Sequence, residues 1–159
     1  MTKALGQLPW PVTLIGSFHD GRHNLMTASW VSQVSFSPPL VMVSIAPERY
    51  THELIAATGE FVISILTAEQ VEIARFCGSH SGRTTDKVKA LGLKTAPGER
   101  GGVPVLTDCL ANIECRVTTT YPAGDHTLFI GEVLGGSVMR PDADPLVIRD
   151  WEWGRYLKV

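Results

Sequence analysis

Asn24-Leu-Met-Thr-Ala-Ser-Trp30, Val31-Ser-Gln-Val-Ser-Phe-Ser37 and Pro38-Pro-Leu-Val-Met-Val-Ser-Ile45 run on without interruption and lead to Glu48-Arg49-Tyr50-Thr51. The first piece is apolar but carries two hydroxyls. Strand alternation would turn Thr27 and Ser29 to one face and Met26, Ala28 and Trp30 to the other. The Pro38-Pro39 pair then breaks the strand, because proline donates nothing to a ladder. Leu40 to Ile45 is nearly all apolar and reads as a buried strand.

The flanks extend the same pattern. Trp10 to Phe18 has strand composition, and Asp20-Gly21 is a two-residue hairpin signal, so His23 to Val34 reads as the return strand. Beyond the core stretch, Thr51 is a candidate N-cap for a helix over His52 to Thr58 that stops at Gly59, with Tyr50 and Ile55 as its staple. Phe61 to Leu66 is the next strand. Thr67-Ala-Glu-Gln70 matches a capping box, stapled by Leu66 and Val71, for a helix to about Cys77 that ends at Gly78. Ser79 to Asp86 is polar and turn-rich, and Lys87 to Leu91 fits one helical turn before Gly92. Thr95 to Pro104 reads as an exposed loop. Leu110 to Tyr121 and His126 to Met139 are two long strands joined by Pro122-Ala-Gly-Asp125, and short strands follow at Leu146 to Arg149 and near Tyr156. Antiparallel hairpins with few long crossovers favour a closed or half-closed barrel, mainly β, with two or three short helices. With no internal repeat and no linker, residues 1–159 read as a single domain.

Composition narrows the function. A net charge of -2 argues against a large basic face and hence against nucleic acid as a partner. The first residues have no signal-peptide core, and no run is long enough to cross a bilayer, so a soluble cytoplasmic protein with no membrane partner is expected. The three cysteines, Cys77, Cys109 and Cys115, form no Cys-x-x-Cys pair and read as buried free thiols. Cys109 and Cys115 would face one side of a regular strand. No dinucleotide fingerprint, phosphate loop, zinc-helix motif or nucleophile elbow occurs, so no metal site or hydrolase is expected.

Two places can carry chemistry. The hydroxyls of Thr27 and Ser29 need partners, either each other and solvent or a planar ligand with ring carbonyls and nitrogens. An anion suits the helix start at Thr51, with Arg83 and Lys87 in or beside the polar loop as cations. Separately, Gly124-Asp-His-Thr-Leu-Phe-Ile-Gly-Glu-Val133 puts His126 at the head of a strand.

Asn24–Trp30, Ser35–Ile45, Arg49–Thr51, Phe61–Leu66, Ser81-Gly82-Arg83 with Asp86-Lys87, Leu110–Cys115 and Gly124–Val133 occur in an order that resembles the flavin reductase-like family. The branch they most resemble holds ferric reductases and flavoredoxin-type proteins. The resemblance implies an antiparallel, Greek-key-like split β-barrel that binds FMN, with FAD or riboflavin left open. It also implies a homodimer with flavin near the subunit boundary. The reaction implied is hydride transfer from NADH or NADPH to flavin, which passes electrons to an acceptor such as ferric iron or a partner oxygenase. By the same resemblance Thr27, Ala28, Ser29 and Trp30 line the ring, and Ser44 either reaches it or bonds its own backbone. Thr51, Arg83 and Lys87 hold phosphate, and His126, oriented by Asp125, sits at the redox edge. Two alternatives stay open: an FMN electron carrier reduced by a partner protein, and a split barrel that binds haem or another ligand. The tail departs from the family's Gly-Gly-x-Tyr, with Trp153-Gly154-Arg155-Tyr156 in its place, and Trp151 and Trp153 bear on the rim of the site or on a subunit contact.

Overall fold

The computed structural model describes residues 3–155. A two-residue strand, β1 (Trp10–Pro11), leads into β2 (Thr13–His19), which reverses into β3 (Arg22–Ala28). The reversal is the expected Asp20-Gly21 turn, with φ of 49° and 75°; two left-handed residues in a row match the twist of the flanking strands. The chain then departs from the single return strand expected over His23 to Val34. β3 ends at Ala28, Ser29-Trp30 crosses over, and β4 (Val31–Phe36) begins. A cis Ser37-Pro38 bond links β4 to β5 (Pro39–Ile45).

Three helices and the remaining strands follow: α1 (Tyr50–Thr58), β6 (Glu60–Ile65), α2 (Val71–Ser79), α3 (Lys87–Ala90), the small pair β7 (Thr95–Ala96) and β8 (Val105–Leu106), then β9 (Ala111–Ala123), β10 (His126–Val138), β11 (Leu146–Arg149) and β12 (Glu152–Arg155). The fold is mainly β, an antiparallel split barrel with short helices. Its main sheet has the order β3-β2-β6-β9-β10-β5-β4. β3 and β4 therefore lie at opposite edges of a seven-stranded sheet, yet only two residues separate them in the chain. A dipeptide cannot span a flat sheet of that width, so the sheet must roll until its edges meet at Ser29-Trp30. Contacts between β3 and β5 show the meeting, and Ser44 N, donating to Trp30 O at 3.0 Å, carries the β4–β5 ladder into the crossover.

Strand alternation separates two cores. Ile15, Val43, Ile45, Phe61, Ile63 and Phe129 fill the barrel, whereas Leu14 and Leu25 point the other way, onto Leu66, Ala74, Cys77 and Leu146 beneath α2 and the small outer sheet. Gly131 makes room for the first core, because a Cβ there would lie 2.7 Å from the Phe61 ring. The strand over Leu40 to Ile45 is buried on one face only; Val41, Val43 and Ile45 face inward while Leu40, Met42 and Ser44 stay half-buried.

Other local expectations shift by a residue or more. The N-cap of α1 is Arg49, so Thr51 lies within the first turn; Gly59, with φ 72°, ends the helix as read. Gln70 Oε1 accepts from Thr67 N at 2.9 Å, half of a capping box, but Thr67 is held in a bridge to Pro145 and α2 starts at Val71 and runs through Gly78 to Ser79. The 95–104 segment is a pinned loop rather than a free one. The buried Glu114 carboxylate accepts from the backbone N–H groups of Glu99, Arg100 and Gly101 at 3.0, 2.9 and 2.8 Å, as a buried charge requires. Cys109 precedes β9 and joins the outer core, while Cys115 joins the barrel core. All three thiols are free and buried, and burial pushes them up to about 11, 11 and 12 for Cys77, Cys109 and Cys115. The strand expected near Tyr156 is met by β12 as far as Arg155; Tyr156 lies outside the described residues. Among the described residues no helix is long and apolar enough to cross a membrane.

Candidate active site

A cleft of about 530 Å³ opens along the barrel seam. Its walls are the end of β3 and the crossover after it, from Met26 to Trp30, the end of β5 and the residue after it, from Ser44 through Ala46, the stretch from Glu48 to Thr51 at the start of α1, and that from Cys77 to Gly82 with Lys87; Asn24, His126 and Trp151 complete it. Thr27, Ala28, Ser29, Trp30, Ser44, Thr51, Lys87 and His126 are thus brought to one cleft, from elements up to 100 residues apart in the chain.

The inner end is buried and polar. Asn24 Nδ2 donates to Thr51 Oγ1 at 2.8 Å, tying β3 to the first turn of α1. Asn24 Oδ1 has no partner among the described residues. It abuts Gly82, where any Cβ would strike it, so only glycine lets the polar loop close at this point. Lys87 is 3 % exposed, and its Nζ donates to Leu25 O at 2.6 Å and Cys77 O at 2.9 Å. An ammonium has three N–H groups, so one remains for the cleft. Burial pushes its pKa below the ordinary lysine value, and the neighbouring Cys77 opposes that shift. Arg49 makes no side-chain cap on α1, leaving first-turn backbone N–H groups for an anion.

Arg83 and Asp125 are the expected site residues that do not line the cleft; Asp125 reaches it only through its hydrogen bond to His126. Arg83 is drawn away altogether. Its guanidinium pairs with Glu53 at 2.8 Å and lies 4.9 Å from the Tyr50 ring, because α1 presents a carboxylate and an aromatic face where the loop passes. Arg22 covers the same ring at 5.7 Å and donates to Gly82 O at 3.0 Å, so Tyr50 anchors two arginines and the loop together.

The outer end is more open. Thr27 Oγ1 donates to Ala74 O at 2.6 Å, so its proton is spent on α2; Thr13 Oγ1 occupies Ala28 O at 2.7 Å. Ser29 lies past the end of β3 and does not share one strand face with Thr27. The Trp30 ring is 4.8 Å from the His126 ring, tilted by 49°. His126 Nδ1 meets Asp125 Oδ1 at 2.6 Å, and that hydrogen bond, followed by the charge of His126, holds the Asp125 carboxyl below the usual range. A carboxylate only accepts, so Nδ1 carries hydrogen. In the neutral ring Nε2 is then an acceptor. Asn24, Arg49, Tyr50, Gly82 and Trp151 also line the cleft, beyond the site residues expected from the sequence. A polar Asn24 inside an apolar strand and the Ser81-Gly82 turn were the visible signals. Among the described residues no group of three or more His, Cys, Asp or Glu is placed to hold a metal.

Residues 5–153 match the flavin reductase like domain family. The chain is 44 % identical over 111 residues to an uncharacterized protein of Archaeoglobus fulgidus, covering 70 % of this chain and 63 % of that one. It is 37 % identical over 142 residues to the NADH:riboflavin 5'-phosphate oxidoreductase of Streptomyces pristinaespiralis, covering 87 % and 78 %. Among solved structures, the NADH:FAD oxidoreductase of Streptomyces globisporus superposes with a TM-score of 0.89 at 28 % identity, over 98 % of this chain and 91 % of that one. The matched span, the split barrel and the seam cleft agree, and the chain belongs to the flavin reductase-like family.

Proposed function

We propose that the seam cleft binds FMN and that the protein transfers hydride to it from a nicotinamide dinucleotide, NADH before NADPH. One observation carries this: a single cleft joins the Ala28–Trp30 strand end to the buried Lys87 ammonium and the α1 N-terminus. Those groups fit the ligand. A phosphate suits the third N–H of Lys87 and the uncapped first turn, and an orphaned Asn24 Oδ1 suits a polyol hydroxyl. A planar ring suits the shallow wall from Ala28 to Trp30 beside Ser44. Named relatives that use NADH with riboflavin phosphate or with FAD support both the donor and the flavin class.

When bound, flavin supplies a two-electron acceptor; the chain supplies position and charge. Lys87 and the α1 N–H groups hold the anionic end, Thr27, Ala28, Ser29 and Trp30 line the ring, and His126, oriented by Asp125, presents Nε2 at the ring side. The homodimer of the family reading is supported by exposed apolar side chains on the sheet edge, with Phe36 at 89 % and Val34 at 51 %. The final acceptor is ferric iron or a partner oxygenase.

The test is anaerobic mixing of the FMN-loaded protein with each nicotinamide, read as loss of flavin absorbance. Bleaching by NADH supports the reading. A protein that binds no flavin overturns it, and bleaching that needs an added reductase protein makes it an electron carrier.

A further inference from the structure

Two hairpins in this molecule share one turn geometry and differ in one residue. Asp20-Gly21 joins β2 to β3 with φ of 49° and 75°; Asp150-Trp151 joins β11 to β12 with φ of 50° and 65°. The second position of this turn favours glycine, because a side chain there crowds the backbone. A bulky tryptophan at positive φ is an outlier of the kind that persists where surrounding structure holds it and where it serves a site.

The surroundings do hold it. Asp150 N donates to Gly6 O, and a Cβ at Gly6 would lie 2.8 Å from Asp150 Oδ1, so the 3-10 turn at Leu5–Gln7 grips the hairpin tip. The Trp151 ring sits 5.7 Å from Trp10, tilted by 41°. Even so, Trp151 is 55 % exposed, and among the described residues it is the sole contribution of the tail to the wall of the seam cleft. Its place along the cleft follows from its neighbour. Trp10 lies three residues ahead of Thr13, which pairs with Ala28, so the chain leads from the Trp10–Trp151 contact to the Ala28–Trp30 side of the cleft that Trp151 lines.

We infer that Trp151 is an aromatic wall for the planar ring of the ligand and sets its affinity independently of phosphate. This rests on the proposed flavin reading and adds a residue to it. A half-exposed indole held at a fixed angle offers a face to a conjugated ring at little entropic cost.

Trp151→Gly restores the Asp-Gly turn already used at Asp20-Gly21, so the fold is safeguarded. The expected result is a protein at least as stable as the parent that binds riboflavin and FMN about tenfold more weakly, by the same factor for both. Trp151→Phe should recover most of the affinity while bound riboflavin becomes brighter, because an indole quenches flavin emission by electron transfer and a phenyl ring does not. Unchanged affinity in Trp151→Gly would overturn the inference. So would a loss of stability or a changed oligomeric state with affinity intact, either of which makes Trp151 a packing residue. If the parent protein binds no flavin, the flavin reading itself fails, which is a different outcome from any of these.

Discussion

The two ends of the seam cleft spend their polar groups differently. At the inner end Lys87, Asn24 and Thr51 are almost wholly buried and already bonded to backbone or to each other. At the outer end Trp30, His126 and Trp151 are partly exposed, and the Asp125 partner of His126 is 94 % exposed. The inner end is therefore part of the fold as well as of the site. The outer end can change with little cost to folding, which is where variation in ring, donor or acceptor is least constrained.

Substitutions test this contrast by separating stability from ligand effects. Lys87→Ala strands Leu25 O and Cys77 O in a buried place and should cost about 3 kcal/mol in a denaturant titration. It should also weaken FMN far more than riboflavin; an equal loss for both would remove Lys87 from the phosphate site. His23, next to Asn24 on β3, extends the contrast to acid. Burial pushes it down to about 4, against a pull from Asp86 in the other direction. An unfolded histidine titrates near 6.5. Below that pH the unfolded chain takes up a proton that the folded one refuses, so stability should be full above about 6.5 and fall by about 3 kcal/mol on reaching about pH 4. His23→Phe should flatten that slope, and an unchanged slope would place the acid sensitivity elsewhere.

At the outer end the effects should be kinetic. His126→Ala is expected to slow flavin reduction about a hundredfold, the low side for loss of a positioned acid–base group, with FMN affinity nearly unchanged. Unaltered single-turnover rates would take His126 out of the reaction. Smallest of all is Arg83→Ala. Its ion pair with Glu53 is half-exposed, so both stability and FMN affinity should move by less than about 1 kcal/mol. A large FMN loss in Arg83→Ala would mean that the guanidinium leaves Glu53 and reaches the phosphate.

Local features were readable ahead of the structure because local chemistry produces them. The Asp20-Gly21 turn, the Gly59 helix stop and the β9–β10 hairpin each depend on a few adjacent residues. The break at Ser29-Trp30 was not readable, since strand alternation runs straight through it. Only the pairing of β3 with β2 and of β4 with β5 separates the two. Arg83 and Lys87 look alike in the loop, and nothing nearby says that one meets Glu53 while the other is drawn inward to two carbonyls. Trp151 sits 121 residues after Trp30 in the chain and joins the same wall through a clamp at Gly6 that no short-range pattern reveals.

The order of strands and turns, the absence of a nucleotide-binding unit and a part of the cleft lining, from Thr27 to Trp30 with Ser44, Thr51, Lys87 and His126, follow from alternation, glycine and proline placement, and family resemblance along the chain. Which charges face the cleft, where the sheet edges meet and what the tail contributes depend on distances between segments far apart in the chain. Those distances exist only after the sheet has rolled, because burying the two cores is what forces its edges together.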